Sequence, residues 1–419
     1  GKAVLKDTTV RVSNVTLANG PATWTQPADQ PITLALAASL DVGDDPKLSP
    51  AQQIRAVNIT QLSGDLLVGK LSMPKAITIA NPAGAMSATG SIELNGKIAD
   101  TNALLAVLQG KAGADALPFA GDFAITQAVN TQGDVVQLAG SANVNKLTVA
   151  RDGKVVFSED QLAINNDVSF DTAKQSLAIH TLKVDARTSG ALKLDVLGGK
   201  LSDLTGQRLI DPMQIKLAYD LAKVWEIVRP LLTAEQLASL GEVKVAGKQE
   251  RQFTISGAFP ADKSFNEAIK SLHVEGSIGA DLVEAAGATV ENLDLAVKLD
   301  KGVLSVPAAA RPEGSDAVTA TVNNGKLRLA GASVDLADPQ MPITLPAGLK
   351  VVEGVSLNAA FAKRYLGGVL PILSSVPQSG GKIDLTVVSC DRLAVASLTG
   401  GPLPEDPGRA ELTFAIREL

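Results

Sequence analysis

The sequence has little of the residue types on which most enzymes and metal sites depend. Its 419 residues include one cysteine and two histidines. The single cysteine, Cys390, excludes an intramolecular disulfide framework. Neither His180 nor His273 has a partner at the spacing of a metal site or a catalytic pair. Phosphate-binding loops, nucleophile elbows and EF-hands are also absent from the sequence. We therefore predict that the protein is not an enzyme and binds no metal or cofactor.

Basic character and long hydrophobic runs are lacking as well. Lysine and arginine number 38 against 44 acidic residues, a formal net charge of −6, and no basic run occurs. Nucleic-acid binding is therefore not expected, because it requires a cationic surface. No apolar stretch approaches the roughly 20 residues of a membrane-spanning helix. The chain starts at Gly1 without a signal peptide and enters a strand at once, so we expect a piece of a longer protein.

Aromatic residues make up only 3% of the chain, although hydrophobic residues make up 45%. The apolar content is therefore mainly aliphatic, and it alternates with polar residues, for example over 213–219 and 293–299. Such alternation is typical of antiparallel strands with one apolar and one solvated face. The sequence predicts a mainly β protein built on an elongated, curved antiparallel sheet. The sheet is either open as a groove or closed in a sandwich-like arrangement.

A strand, a short amphipathic helix, a glycine and an alternating strand occur in this order three times. The three helices are predicted near residues 100–109, 220–240 and 359–374. Gly121, Gly241 and Gly381 mark the start of the strand that follows each helix. Recurrence of one pattern indicates divergent internal repeats that stack against their neighbours. We therefore predict three β units, which cover residues 1–110, 111–240 and 241–419.

Local signals predict turns and one irregularity within this sheet. Asp152-Gly153 and Asn324-Gly325 each lie between alternating segments, and both dipeptides suit the type I′ hairpin turn. The apolar phase changes between Ile179 and Leu182, which indicates a β-bulge.

Strand starts with Gly-Ser followed by an apolar residue occur at 90–94, 140–144 and 276–280, and a long hairpin covers 290–306. In these features the chain resembles the AsmA and TamB-like proteins of double-membrane bacteria. The resemblance implies an inner-membrane anchor, a curled β groove in the periplasm, and a role in phospholipid transport and outer-membrane biogenesis. The family's N-terminal membrane helix is absent from this sequence, and helices interrupt the predicted sheet.

The function predicted from these features is a non-enzymatic groove of the bacterial cell envelope that shields the acyl chains of phospholipids or other lipids between membranes. The groove would be lined by the apolar phase of the strands: Leu192, Leu194, Val196, Ile215, Leu217, Leu293, Leu295, Val297, Ile383 and Leu385. The alternative is a closed β module of the periplasm or cell surface that has a structural or interaction role and no ligand. Membrane contact would come from a segment missing from this sequence. The terminal strand 412–419 is expected to pair with another sheet edge or with a second copy of the chain.

Overall fold

The fold is known from a computed structural model, which confirms the predicted mainly β class. Among the residues that the structure describes, strands account for 67% and helices for 8%, and 24 strands belong to one large antiparallel sheet. The residues that the structure describes are 1–19, 22–27, 29–49, 52–82, 86–108, 119–151, 154–229, 232, 237–238, 241–260, 263, 265–285, 287–308, 318–362, 364, 381–394 and 408–417.

The chain divides into two compact units, Gly1–Ser202 and Asp203–Leu419. The boundary between them coincides with neither of the boundaries predicted near residues 110 and 240. The division into three β units concerns the repeated pattern and stays a prediction.

Unit 1 is an antiparallel meander in which most strands pair with their sequence neighbours. Its elements are β1 (Lys2–Val12), β2 (Thr16–Asn19), β3 (Ala22–Thr25), β4 (Ile32–Val42), β5 (Ile54–Leu66), β6 (Gly69–Ala80), β7 (Ser87–Lys97), α1 (Ile98–Leu108), β8 (Phe119–Gln132), β9 (Val135–Arg151), β10 (Lys154–Asp171), β11 (Ser176–Ala186), β12 (Leu192–Leu197) and β13 (Gly199–Ser202). β1 pairs with β4, and pairing then continues from β4 to β11 in order. β12 and β13 both pair with β11, whereas β2 and β3 form a separate hairpin.

Unit 2 combines long antiparallel strands with several short ones. Its elements are β14 (Leu209–Asp220), α2 (Leu221–Val228), β15 (Lys244–Ala246), β16 (Lys248–Ala258), α3 (Phe265–Ala268), a 3₁₀ turn (Ile269–Ser271), β17 (Leu272–Ala285), β18 (Ala288–Asp300), β19 (Val303–Ser305), β20 (Ala320–Val322), β21 (Gly325–Leu327), β22 (Ser333–Asp335), β23 (Ile343–Thr344), β24 (Lys350–Ser356), α4 (Ala359–Phe361), β25 (Lys382–Asp391) and β26 (Arg409–Arg417). β14, β16, β17 and β18 form one ladder, and β24, β25 and β26 form another.

The predicted helices are present where the structure describes them. α1 corresponds to the helix predicted near 100–109, α2 to the first part of 220–240, and α4 to the start of 359–374. Residues 233–236 and 365–380 lie outside the described residues. The carboxylate of Asp220 caps α2 by accepting from the backbone N–H of Lys223 at 3.4 Å. α3 was not predicted, because four residues are too few to show a helical period.

The three strand–helix–strand junctions share one local geometry. The last residue of the strand before the helix pairs with the residue that follows a glycine with positive φ. The three pairs are Lys97 with Asp122, Asp220 with Lys248, and Ser356 with Lys382. The glycines are Gly121, Gly247 and Gly381, with φ of 141°, 133° and 141°. The equivalent glycine in the second copy is therefore Gly247 and not Gly241, because β15, which follows Gly241, pairs with β17.

The structure confirms the predicted bulge and corrects one turn. Thr181 pairs with Asp167 and Ile179 with Val168, which leaves His180 as the extra residue. The β20–β21 hairpin turns on Asn323 and Asn324, which both have positive φ, and not on Asn324-Gly325. The buried side chain of Asn323 bonds to neighbouring backbone and fixes the turn one residue earlier. The Asp152-Gly153 turn lies outside the described residues.

Candidate functional site

Unit 1 carries a continuous row of apolar residues that crosses ten strands. Directly paired residues of an antiparallel ladder lie on the same face of the sheet, so the register identifies the row. From β1 to β12 it consists of Val10, Leu34, Gly64, Leu71, Leu94, Ile125, Ala142, Ile164, Val184 and Leu194. We call this set the long apolar row.

Parallel rows extend the same face, because residues two positions apart on a strand point to the same side. On one side lie Gly96, Phe123, Val144, Leu162 and Ala186. On the other side lies a mixed row of Ile92, Gln127, Gly140, Asn166, Leu182 and Val196, followed by Gly90, Val129, Leu138, Val168 and Ile179. The long apolar row and these three rows are called the apolar face.

The opposite side of the same strands is polar. Each residue of the long apolar row has a sequence neighbour in an adjacent row, which lies on the opposite side of the sheet. This row consists of Arg11, Thr33, Asp65, Lys70, Asn95, Ala124, Asn143, Ala163, Asp185 and Lys193. Eight of these ten side chains are polar or charged and six are exposed, so this side is the mainly solvated one, although Ala163 is buried.

The apolar face of unit 1 is only partly covered. No member of the long apolar row is buried among the described residues; nine are half-buried, and Val10 is 50% exposed. The buried apolar residues that the structure describes in this unit are Val107, Val149, Ala163, Ala186, Ala191 and Val196, all alanine or valine. The larger aliphatic side chains that the structure describes in the sheet of unit 1 therefore keep contact with solvent.

Unit 2 has a comparable row and also a closed core. Its row consists of Met213, Ile255, Val274, Leu299, Leu304, Val334, Ile343 and Leu393. The neighbouring row on the opposite face is entirely polar: Gln214, Thr254, Glu275, Lys298, Ser305, Ser333 and Thr344. The closed core contains Val322, Val355, Leu357, Phe361, Ala362 and Ile383. Because Phe361 belongs to α4, this helix covers the sheet at that point.

The structure distributes the ten predicted lining residues over four environments. Leu194, Ile215, Leu217, Leu293, Leu295 and Leu385 are half-buried, and Leu192 is exposed. Val196 and Val297 are buried but lie in rows with half-buried neighbours. Ile383 is 1% exposed inside the closed core, so it does not line an open surface. Ile215 and Val297 share a row through Phe253 and Gly276, whereas Leu217 pairs with Arg251.

Sequence reasoning missed most of the apolar face, including every member on β1 to β11. Alternation within those strands was visible as a signal, but pairing between strands was not. The members that were predicted are Leu194 and Val196 of β12, and the register places Leu194 at one end of the long apolar row.

Two depressions lie in regions that are more polar than this face. One, of about 490 Å³ in unit 1, is bordered mainly by polar-side residues such as Thr33, Asp65 and Lys70. The other, of about 220 Å³ in unit 2, includes Arg251 and Leu295. The guanidinium of Arg251 donates to Asp294 at 2.8 Å and to Gln249 at 2.6 Å, so its charge is already paired.

The residues with potential reactivity have structural partners. His180 lies 3.0 Å from the hydroxyl of Ser169, and His273 lies 2.9 Å from Asp300. Cys390 is buried, and burial raises the pKa of its thiol. Among the described residues there is no cluster of three or more His, Cys, Asp or Glu side chains that could hold a metal ion.

Glu159 is the most deeply buried carboxylate that the structure describes, at 2% exposure. It accepts hydrogen bonds from the backbone N–H groups of Gln161 at 3.2 Å and Thr188 at 3.0 Å, and from the N–H and hydroxyl of Ser189. Burial alone would raise the pKa of this carboxyl, but the hydrogen bonds together outweigh burial and lower it. Glu159 thus fixes the turn between β11 and β12, where the long apolar row ends.

Comparison of the chain with protein-family models, curated proteins and solved structures gave no match. The resemblance to AsmA and TamB-like proteins stays a prediction. None of the helices in the described part of the chain is long and apolar enough to cross a membrane.

Proposed function

We propose that the protein is a non-enzymatic binder of lipids whose apolar face shields acyl chains. The observation that carries the proposal is the long apolar row, in which ten paired positions across unit 1 are apolar and none is buried. A partly exposed apolar surface of this extent is typical of a site that contacts another molecule.

The chemistry of the face favours an acyl chain over a protein partner. Protein-binding surfaces are enriched in tyrosine, tryptophan and arginine, whereas the long apolar row has only aliphatic residues and glycine. The long apolar row crosses ten strands, and neighbouring strands lie about 4.8 Å apart, so the row is roughly 40 Å long. That span exceeds the length of one acyl chain, which is about half of the ~30 Å bilayer core.

The binding energy would come from removing methylenes from water. Each fully buried methylene contributes about 0.8 kcal/mol, so a chain that is only partly covered is still held. The neighbouring polar rows keep charged headgroups in water. Because the face itself carries few charges, we expect little discrimination between headgroups.

The test compares lipid that co-purifies with two single variants of neighbouring residues. Ile125→Asp places a carboxylate in the long apolar row, and Thr126→Asp places one on the exposed opposite side of the same strand. We expect mass spectrometry after organic extraction to find lipid with the wild type and Thr126→Asp, and much less with Ile125→Asp. Circular dichroism must show that both variants retain the β fold. Lipid-free wild type would contradict the proposal.

The rival function is a closed structural or interaction module without a ligand. The closed core around Ile383 favours this reading for one part of unit 2, since α4 covers the sheet there. A wild-type protein that is monomeric and free of lipid after purification would support the rival. Leu217→Asp and Leu295→Asp extend the comparison to unit 2: loss of lipid without unfolding supports the lipid-binding function there.

The setting of this function follows from the resemblance. We infer a periplasmic location in a double-membrane bacterium, membrane attachment through a segment outside this sequence, and phospholipid as the ligand.

Pairing of the β26 edge with another sheet is part of the same proposal. Thr413→Pro should weaken such pairing, because proline removes a donor from the ladder, and native mass spectrometry would detect the change.

A further inference from the structure

The apolar face of unit 1 contains one polar pair, formed by Gln127 of β8 and Asn166 of β10. Nε2 of Gln127 donates to Oδ1 of Asn166 at 2.9 Å, and Nδ2 of Asn166 donates back to Oε1 of Gln127 at 3.3 Å. Nδ2 of Asn166 also donates to the carbonyl of Leu138 at 3.2 Å. Both side chains are half-buried, so water and ligands can reach them.

A glycine makes this pair geometrically feasible. Gly140 of β9 lies between the two residues in the register, paired with Gln127 on one side and Asn166 on the other. A Cβ at position 140 would come within 2.9 Å of the Gln127 side chain and 2.0 Å of the Thr126 carbonyl oxygen. The carboxamides therefore meet directly above β9, in a space that any other residue would fill.

The pair has one hydrogen-bond donor left over. A glutamine amide carries two N–H donors, and one of them is used in the bond to Asn166. Among the described residues, the second N–H of Gln127 has no partner. The pair is flanked by the apolar residues Ile125 and Ile164 on one side and by Val129 and Val168 on the other. The face therefore presents an amide donor between two apolar surfaces.

We propose that the Gln127–Asn166 pair binds the ester carbonyl of an acyl lipid whose chain lies on the neighbouring aliphatic residues. An ester carbonyl is an acceptor without a donor, and it lies at the start of an acyl chain. It therefore matches a single N–H bordered by apolar surface. This inference rests on the proposed lipid-binding function and adds a preference for ester-linked over ether-linked lipids.

The experiment is a calorimetric titration of the full chain with two soluble lipids below their micelle concentrations. The probes are dihexanoyl phosphatidylcholine and its dihexyl ether analogue, which lacks both carbonyls. One net hydrogen bond corresponds to about a fivefold difference in Kd. We expect the ester to bind about fivefold more tightly to the wild type. The preference should disappear in Gln127→Leu/Asn166→Leu, which replaces both partners by apolar groups.

A matched control lies on the other face of the same strands. Gln137 of β9 donates to Asp167 of β10 at 2.9 Å, so Gln137→Leu removes a similar bond without touching the apolar face. This control should keep the fivefold preference. Equal affinity of the wild type for the two lipids would overturn the inference while leaving the lipid-binding function intact. Failure of both lipids to bind would overturn the inference together with that function. If the double variant does not fold, the comparison of the two lipids on the wild type still decides.

Discussion

Leu94 of β7 and Ile125 of β8 are directly paired in the antiparallel ladder, and both side chains are only half-buried. In a closed β-sandwich such a pair would be covered by the facing sheet. Here the same partial exposure recurs at the next paired positions, Ala142 and Ile164. The repetition of this relationship across the strands distinguishes the apolar face from isolated exposed hydrophobic residues, which are common on any protein.

Replacement of Glu159 by glutamine is expected to destabilise unit 1. The variant weakens charge-assisted hydrogen bonds to a buried group, which corresponds to roughly 2 kcal/mol of unfolding free energy at neutral pH. Urea denaturation of the full chain measures the change. Asp160→Asn alters an exposed carboxylate next to it and should change stability by less than about 0.5 kcal/mol.

The Glu159 carboxylate also predicts a pH dependence. Its pKa in the folded protein lies below the ordinary value of 4.5, so its stabilising contribution is present above about that pH. The contribution is lost as the pH falls through the lowered pKa, because the folded state binds the proton more weakly than the unfolded state does. Wild type should therefore lose more stability than Glu159→Gln on acidification below about pH 4.5. Parallel curves for the two proteins would contradict this assignment.

Replacement of Asn323 by alanine is expected to destabilise unit 2 by about 2 kcal/mol or more. Its side chain accepts from the N–H of Thr289 at 2.7 Å and donates to the carbonyls of Gly287 at 3.1 Å and Ser356 at 3.3 Å. Asn324→Ala is the control, because Asn324 also has positive φ but is exposed. This control isolates the backbone strain, about 1 kcal/mol. Equal losses in both variants would show that the side-chain bonds contribute nothing.

Cys390 is expected to be unreactive in the folded protein. Burial raises the pKa of its thiol, so very little thiolate forms at neutral pH, and the side chain is 6% exposed. A maleimide reagent followed by mass spectrometry should modify the chain in denaturant and leave it unmodified without denaturant. Rapid modification of the folded protein would show that β25 opens readily.

The sequence predicted features that depend on neighbours along the chain. Alternation within β14 and β18 is local, and so is the phase change that predicted the bulge at His180. The helix α2 begins at Leu221, within one residue of the predicted start, because Asp220 supplies the cap.

Features that depend on register between distant strands were not predictable. The Gln127–Asn166 pair requires three strands to align around Gly140, and no single segment contains that information. Ile383 alternates just as Leu194 does, yet Ile383 is buried because α4 covers it. The sequence also predicted Gly241, and not Gly247, as the glycine before the strand that follows α2. The strand that pairs with β14 is known only from the ladder.

Photo-cross-linking of the unmodified chain to a phospholipid with a diazirine in its acyl chain tests most directly whether the apolar face contacts acyl chains. Peptide mass spectrometry would locate the modified residues. We expect cross-links at Leu94, Ile125 and Ile164, and few at Asn95, Asn143 and Lys193 on the opposite side. Cross-links spread equally over both sides, or confined to the polar side, would contradict the proposal that the apolar face binds acyl chains.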